Sequence, residues 1–480
     1  MANASTASPR RTLNVGLISS VQTLDPLQAQ DFVSAMVVCQ VFDTPYATPM
    51  KNEDAPLVLF AEPLEADPAG LVMSAPVRPD VRFSDGTLLT ADHVASALGR
   101  ATPLREQADV EASGNRVVFR LKRPNGRFDL ALTQTFCSVT LEKGGRLLGT
   151  GPFMPAADAT PEVMRLVRNP HSAVPTSIDE VVFRCYPPDE SGNPRALVEA
   201  LAAGEVDFTN VLHRDDVKQL KDVHKAFELG NSTALLYLNT ERPGLSDVRV
   251  RRAIAGVIDR LELARRSHLH ALPHTAKSLL PSIMSSWRDG LKPDLPRAKS
   301  LLAEVGDEAP KRLSLLLIFG PRPYLPHPRA SAEYIADRLA EIGIEVEIRQ
   351  TKDSNDYYRS VAAGDYDMAL SGWLADTADP ADFLDSLLSS ESIPLPDRPI
   401  SIHANLGRWR SPAADEALAK LRRDPTESNL HAVLRIAADE VPVIPLMNGS
   451  IAFVHSWSVR NFRPPLLGIP YFSQLELQPA

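Results

Sequence analysis

Apolar positions fall into two rhythms along the chain. In the N-terminal third, short runs rich in β-branched residues and bounded by turn formers predict strands at 13–18, 70–75, 117–121 and 181–186. A helix opens behind Thr90 as its cap and carries Val94 and Leu98 on one face. Another covers 193–203, with Leu197 and Leu201 at helical spacing and Gly204 as its stop, before a short strand at 206–208. That strand, helix, strand order predicts a parallel pair.

After a strand at 234–238 the texture changes. Asp247 caps an amphipathic helix through Val250, Ile254 and Ile258, and a second helix runs from Pro296 to Gly306, so a new domain is expected here. The clearest stretch follows: strand 313–319, helix 331–342 stopped by Gly343, strand 344–348, helix 356–363 stopped by Gly364, and strand 366–371. Ile344, Val346 and Ile348 alternate with Glu345, Glu347 and Arg349, which places the middle strand at a sheet edge. Helical crossovers favour parallel pairing, and their fixed hand puts all three carboxyl ends along one side of the sheet, where ligands of open α/β sheets bind. Helices at 412–421 and 426–439 then lead to strands at 443–446 and 451–454. If those strands rejoin the N-terminal sheet, the chain crosses between lobes near 236 and near 442, as in a hinge.

Composition narrows the function. The 480 residues, 44% hydrophobic and 23% charged, suffice for two or three domains. With 60 acidic residues against 51 Lys and Arg, net charge −9 and pI about 5.7, the chain has no basic excess for nucleic acid, which is excluded as a partner. No apolar run reaches the roughly 18 residues of a membrane span. Residues 1–11 are small, polar and weakly basic and do not read as a secretory signal, so either the chain stays in the cytoplasm or its true start lies upstream or was removed. Cys39, Cys137 and Cys185 lie far apart and fit neither a disulfide framework nor a zinc site, and read as buried thiols. His268, His270 and His274 lack a fourth ligand, and the Gly149-Thr150-Gly151-Pro152 turn lacks the Lys-Ser/Thr of a phosphate loop. Neither a metal nor another cofactor is implied, and no catalytic motif appears, so a binding protein is expected rather than an enzyme.

Two turns carry the candidate chemistry. Gly320-Pro321-Arg322-Pro323-Tyr324 leaves the 313–319 strand, and Gly372-Trp373-Leu374-Ala375-Asp376 leaves the 366–371 strand. By the sheet argument both face one crevice, offering a guanidinium and a carboxylate to the two ends of a zwitterion, with Tyr324 and Trp373 able to line the walls. Plainer readings stand beside these: Arg322 as a solvated loop residue, Trp373 as core, Asp376 as a turn residue. Asp379, before Pro380 and three ahead of Asp382, reads as a helix cap, which leaves Asp376 without a local task.

The order of segments resembles the family 5 solute-binding proteins, the dipeptide and oligopeptide receptors of bacterial ABC importers. The likeness rests on Leu24-Asp25-Pro26, Phe83-Ser84-Asp85-Gly86 with Thr90-Ala91-Asp92, Gly149-Thr150-Gly151-Pro152-Phe153, Leu238-Asn239 before Val248-Arg249-Val250-Arg251-Arg252-Ala253-Ile254, Ile258-Asp259-Arg260, and the loop from Gly372-Trp373 to Asp379-Pro380. It implies an α/β fold, the periplasmic-binding-protein-like type II two-lobed clamp with an additional N-terminal subdomain. The first lobe is then expected at 1–44, 146–236 and 443–480, the inserted subdomain at 45–145, and the second lobe at 237–442. The implied function is binding of a short peptide or similar zwitterionic solute between the lobes for delivery to ABC permease subunits, outside the cytoplasm. The competing reading is a cytoplasmic ligand sensor built on the same clamp. The resemblance also implies roles: Asp376 for the peptide ammonium, Arg322 for its carboxylate, and Tyr324 and Trp373 as walls. The segment 27–32, where relatives touch ligand from the first lobe, offers no residue that aligns.

Overall fold

In a computed structural model of the chain the predicted elements form close to their expected bounds. The structure describes residues 11–478 except 52, 191–192, 219, 268–274, 321 and 398–403, so the three clustered histidines lie outside the described residues. The chain divides into two compact units, Met1–Glu228 with Ile451–Ala480, and Leu229–Ser450.

In the first unit, Thr12–Leu17 runs parallel to Glu180–Cys185 on one side and to Phe208–Thr209 on the other. The strand, helix, strand order is therefore parallel, with Thr12–Leu17 inserted between its two strands. Val163–Arg168 and Phe153–Pro155 extend the sheet in antiparallel fashion, and the chain's late segment returns to it through Val454 and His455 beside Thr209 and Phe208. Leu13, Val15, Phe153, Phe183, Phe208, Phe453 and Phe472 join one buried core here.

A separate antiparallel sheet orders Glu65–Ala66, Val72–Pro76, Arg116–Leu121 and Ala108–Ser113, with the helix Ala91–Leu98 against it. The Phe83-Ser84-Asp85-Gly86 motif is a structural joint. Ser84 N–H donates to the Gly149 carbonyl at 2.9 Å, Lys143 pairs with Asp85 at 2.7 Å, and Thr90 caps the helix in a reciprocal box with His93. Gly151 N–H donates to Val41 O at 3.0 Å, and a Cβ on Gly151 would sit 2.7 Å from that oxygen, so a close backbone contact explains this turn.

In the second unit, Arg312–Leu317 lies between Glu345–Gln350 and Met368–Leu374, parallel to both, and Glu345–Gln350 ends the sheet as an edge. The three carboxyl ends share one side, as the crossover rule requires. Met368–Leu374 also pairs antiparallel with the residues Ser232 to Leu238 of the strand Val223–Leu238.

Three boundaries differ from expectation. The strands predicted at 443–446 and 451–454 are one strand, Val443–Ser456, because Asn448 is buried with partners instead of marking a turn: it donates to Thr233 Oγ1 at 3.0 Å and accepts from Ser282 Oγ at 2.8 Å. Val223–Leu238 begins eleven residues before the predicted 234, since His224, Lys225 and Glu228 are polar positions with no apolar alternation to betray them. The helix behind Asp247 ends at Ala255, where Gly256 caps it, before Ile258.

The arginines after Asp247 close the unit. Arg251, 3% exposed, donates to the carbonyls of Leu245, Ser246 and Glu440, and Arg252 donates twice to Asp439 O. They neutralise the carbonyl end of the helix Glu427–Glu440 just before the chain turns into the long strand Val443–Ser456. Cys39, Cys137 and Cys185 are unpaired, with burial complete only at Cys137.

Candidate functional site

The two predicted turns leave neighbouring parallel strands and meet through one side chain. Arg322 and Leu325 close a tight turn with backbone bonds of 3.1 and 2.9 Å, which tucks Tyr324 inward at 3% exposure. The Tyr324 ring covers Gly372: a Cβ there would lie 2.5 and 2.6 Å from ring carbons and would also strike the Thr233 carbonyl. Glycine is therefore required where the carboxylate loop leaves its strand. Burial raises the Tyr324 phenol above its ordinary range, while the neighbouring Ser371 hydroxyl and Arg322 guanidinium partly offset that rise. Tyr324 thus lies between Arg322 and the strand end that launches Asp376.

Beyond the strand, Asn231 grips Ala375 from both sides, its carbonyl accepting from Ala375 N–H at 2.8 Å and its carboxamide donating to Ala375 O at 3.0 Å. This leaves the next residue, Asp376, projecting from a fixed backbone. Asp379 accepts from Ala381 N–H at 2.9 Å and caps the helix Pro380–Leu388, with Pro380 at its first turn, as its spacing predicted. Thr377 Oγ1 bonds Asp382 at 3.1 Å. Asp376 differs from both: among the described residues its carboxylate makes no hydrogen bond and no ion pair.

Asp376 is open to water on one side yet closely surrounded by protein on the others. That desolvation, with the negative Asp382 nearby adding to it, pushes the carboxyl up to about 7. A cation brought to it would reverse both effects, whereas Asp379 and Asp382 already have partners within the fold. Trp373 is half-buried and pairs with Thr233 across the strands.

The structure therefore brings the Arg322 turn, Tyr324, Trp373 and Asp376 to one end of one sheet. Sequence reasoning missed Asn231, Ser371 and Tyr357. Asn231 sits in a polar stretch with no strand signal, and Tyr357 is an inward position on the helix Ser354–Ala363 whose neighbour Ser371 is far off in sequence.

Several known proteins resemble this chain in sequence and fold. A Di/tripeptide-binding protein 2 of Pseudomonas aeruginosa (strain UCBPP-PA14) is 26% identical over 83% of this chain and 78% of its own length. Among solved structures, HbpA2 from Haemophilus parasuis superposes with a TM-score of 0.84 at 21% identity, covering 97% of this chain and all of that one. The periplasmic binding protein DppA from Helicobacter pylori, in complex with the peptide STSA, gives 0.74 at 22% identity over 98% of both chains. These likenesses show the two-lobed α/β fold of periplasmic peptide-binding proteins. The model of the bacterial extracellular solute-binding proteins, family 5, matches residues 58–394, well over half of the sequence, and the chain belongs to that family.

Proposed function

We propose that the protein binds a short peptide or similar zwitterionic solute without chemical change and delivers it to the permease subunits of an ABC importer outside the cytoplasm. The observation that carries this is the carboxylate of Asp376, partly desolvated, unpartnered among the described residues, and held on a fixed backbone at the carboxyl ends of a parallel sheet. An ammonium group supplies what it lacks. Arg322, on the turn locked to the same strand end through Tyr324, is assigned to the opposite charge of the ligand. Tyr324 acts from behind, by fixing that turn, and Trp373 stands beside the anchor. Family membership and the di/tripeptide-binding relative support the same reading and favour a binding protein over an enzyme.

The proposed lobes are 1–44, 146–236 and 443–480 for the first, with 45–145 inserted in it, and 237–442 for the second; the two compact units divide nearby, at 228/229 and 450/451, within the long strands Val223–Leu238 and Val443–Ser456. Mass spectrometry of small molecules released from purified, undialysed protein tests the assignment: a short peptide or another zwitterion is expected, and a purely anionic or uncharged ligand would sink it. Intact recovery of a peptide library after long incubation is the expected result for a non-catalytic receptor, and fractionation of the native cells checks the compartment.

A further inference from the structure

Large apolar side chains open to water are few in the second unit: among the described residues they are Leu261, Phe319, Tyr358 and Leu374. Three of the four sit at the sheet end that bears Asp376. Phe319 follows the strand Arg312–Leu317, and Leu374 ends the neighbouring strand Met368–Leu374. These strands are parallel and in direct register, Leu317 beside Leu370, so continuing the register sets Phe319 beside Gly372, two residues before Leu374. Adjacent strands run about 5 Å apart, which puts the two positions within reach of one small ligand. Tyr358 comes from the first turns of the helix Ser354–Ala363, beyond the carboxyl end of the edge strand. Its ring packs edge-on to Tyr357 at 5.8 Å, and it neighbours Tyr324, the residue that covers Gly372. Each of the three is between 41% and 44% exposed, whereas Leu315 to Ile318 and Met368 to Ser371, on the strands that lead toward Phe319 and Leu374, are buried.

Scattered single apolar residues on a surface need no explanation, but three from three different elements at the sheet end that also bears an uncompensated carboxylate do. Apolar surface is costly to leave in water, and its placement beside an anion selects a partner that is cationic at one point and greasy next to it. The geometry points to a ligand class: peptides with a free amino terminus and bulky aliphatic or aromatic side chains, whose ammonium meets Asp376 and whose side chains cover Phe319, Tyr358 and Leu374. This rests on the peptide reading proposed above and deepens it from a zwitterion to a hydrophobic one.

Isothermal titration of the full chain, stripped of bound ligand by unfolding and refolding, with Leu-Leu, Phe-Leu, Ser-Ser and Gly-Gly decides it. Leu-Leu and Phe-Leu are expected to bind at least about tenfold tighter than the other two, the discrimination an apolar pocket typically achieves. Phe319→Ser and Tyr358→Ser are expected to weaken Leu-Leu severalfold more than Gly-Gly, and both positions are exposed, so folding is retained. Equal affinities for all four dipeptides, or variants that weaken all of them alike, would overturn the hydrophobic preference while leaving the peptide reading standing. Binding of none of the four would overturn both.

Discussion

At the scale of single residues, the contrast between Asp379 and Asp376 separates structural from functional carboxylates. Two acids three positions apart share a loop, yet one is consumed by a helix N-terminus and the other has no partner among the described residues. Because the folded protein raises Asp376 to about 7 from an ordinary carboxylate value, the folded state holds its proton more tightly than the unfolded chain. The sign follows: ionising Asp376 as pH rises from about 4 to 7 weakens the ligand-free fold, whereas a bound ammonium favours the ionised form. Peptide affinity should therefore fall as pH is lowered from 7.5 to 5.5, with release of a proton on binding at pH 6.5. Calorimetry in two buffers of different ionisation enthalpy reads both, and an affinity flat over that range would contradict the assignment. Asn231 shows the limit of sequence reading at this scale, since a polar residue that grips a backbone 144 positions away leaves no local trace.

At the scale of elements, the site depends on a strand end and a turn being pressed together. Gly372→Ala would drive a methyl group into the Tyr324 ring and the Thr233 carbonyl, with an expected loss of about 1–3 kcal/mol in stability by urea denaturation and a loosened Arg322 turn. Arg251→Ala, which strands three carbonyls and the end of the Glu427–Glu440 helix, is expected to cost about 2–3 kcal/mol without altering the ligand preference. Parallel strands separated by amphipathic helices were legible because period and stop signals agree: Gly343 and Gly364 both take positive φ, and Gly364 ends its helix left-handed. The long strands Val223–Leu238 and Val443–Ser456 were only half legible. Their polar parts are stabilised by partners distant in sequence, such as Thr233 for Asn448, and these override local propensity.

At the scale of the molecule, the order of weak motifs identified the family although most of those motifs make structural bonds within the fold. Phe83 to Gly86, the Gly149 turn and the arginines after Asp247 are joints and clamps, and only the Arg322 and Asp376 turns carry the proposed chemistry. The division of the chain inside two long strands, between Glu228 and Leu229 and between Ser450 and Ile451, could not be placed by composition because neither point has a linker's texture. A receptor that binds ligand only when folded must also gain stability from it: a dipeptide at one hundred times its Kd should stabilise the fold by about 2.7 kcal/mol, seen as a raised Tm.

The most direct test is the affinity and stability of Asp376→Asn, which keeps the shape and removes the charge. Dipeptide binding should weaken by about 2–5 kcal/mol, since a peptide ammonium would be left unpaired, while thermal stability stays equal or rises because a desolvated charge has been removed. A variant that binds dipeptides as tightly as the parent would contradict the account.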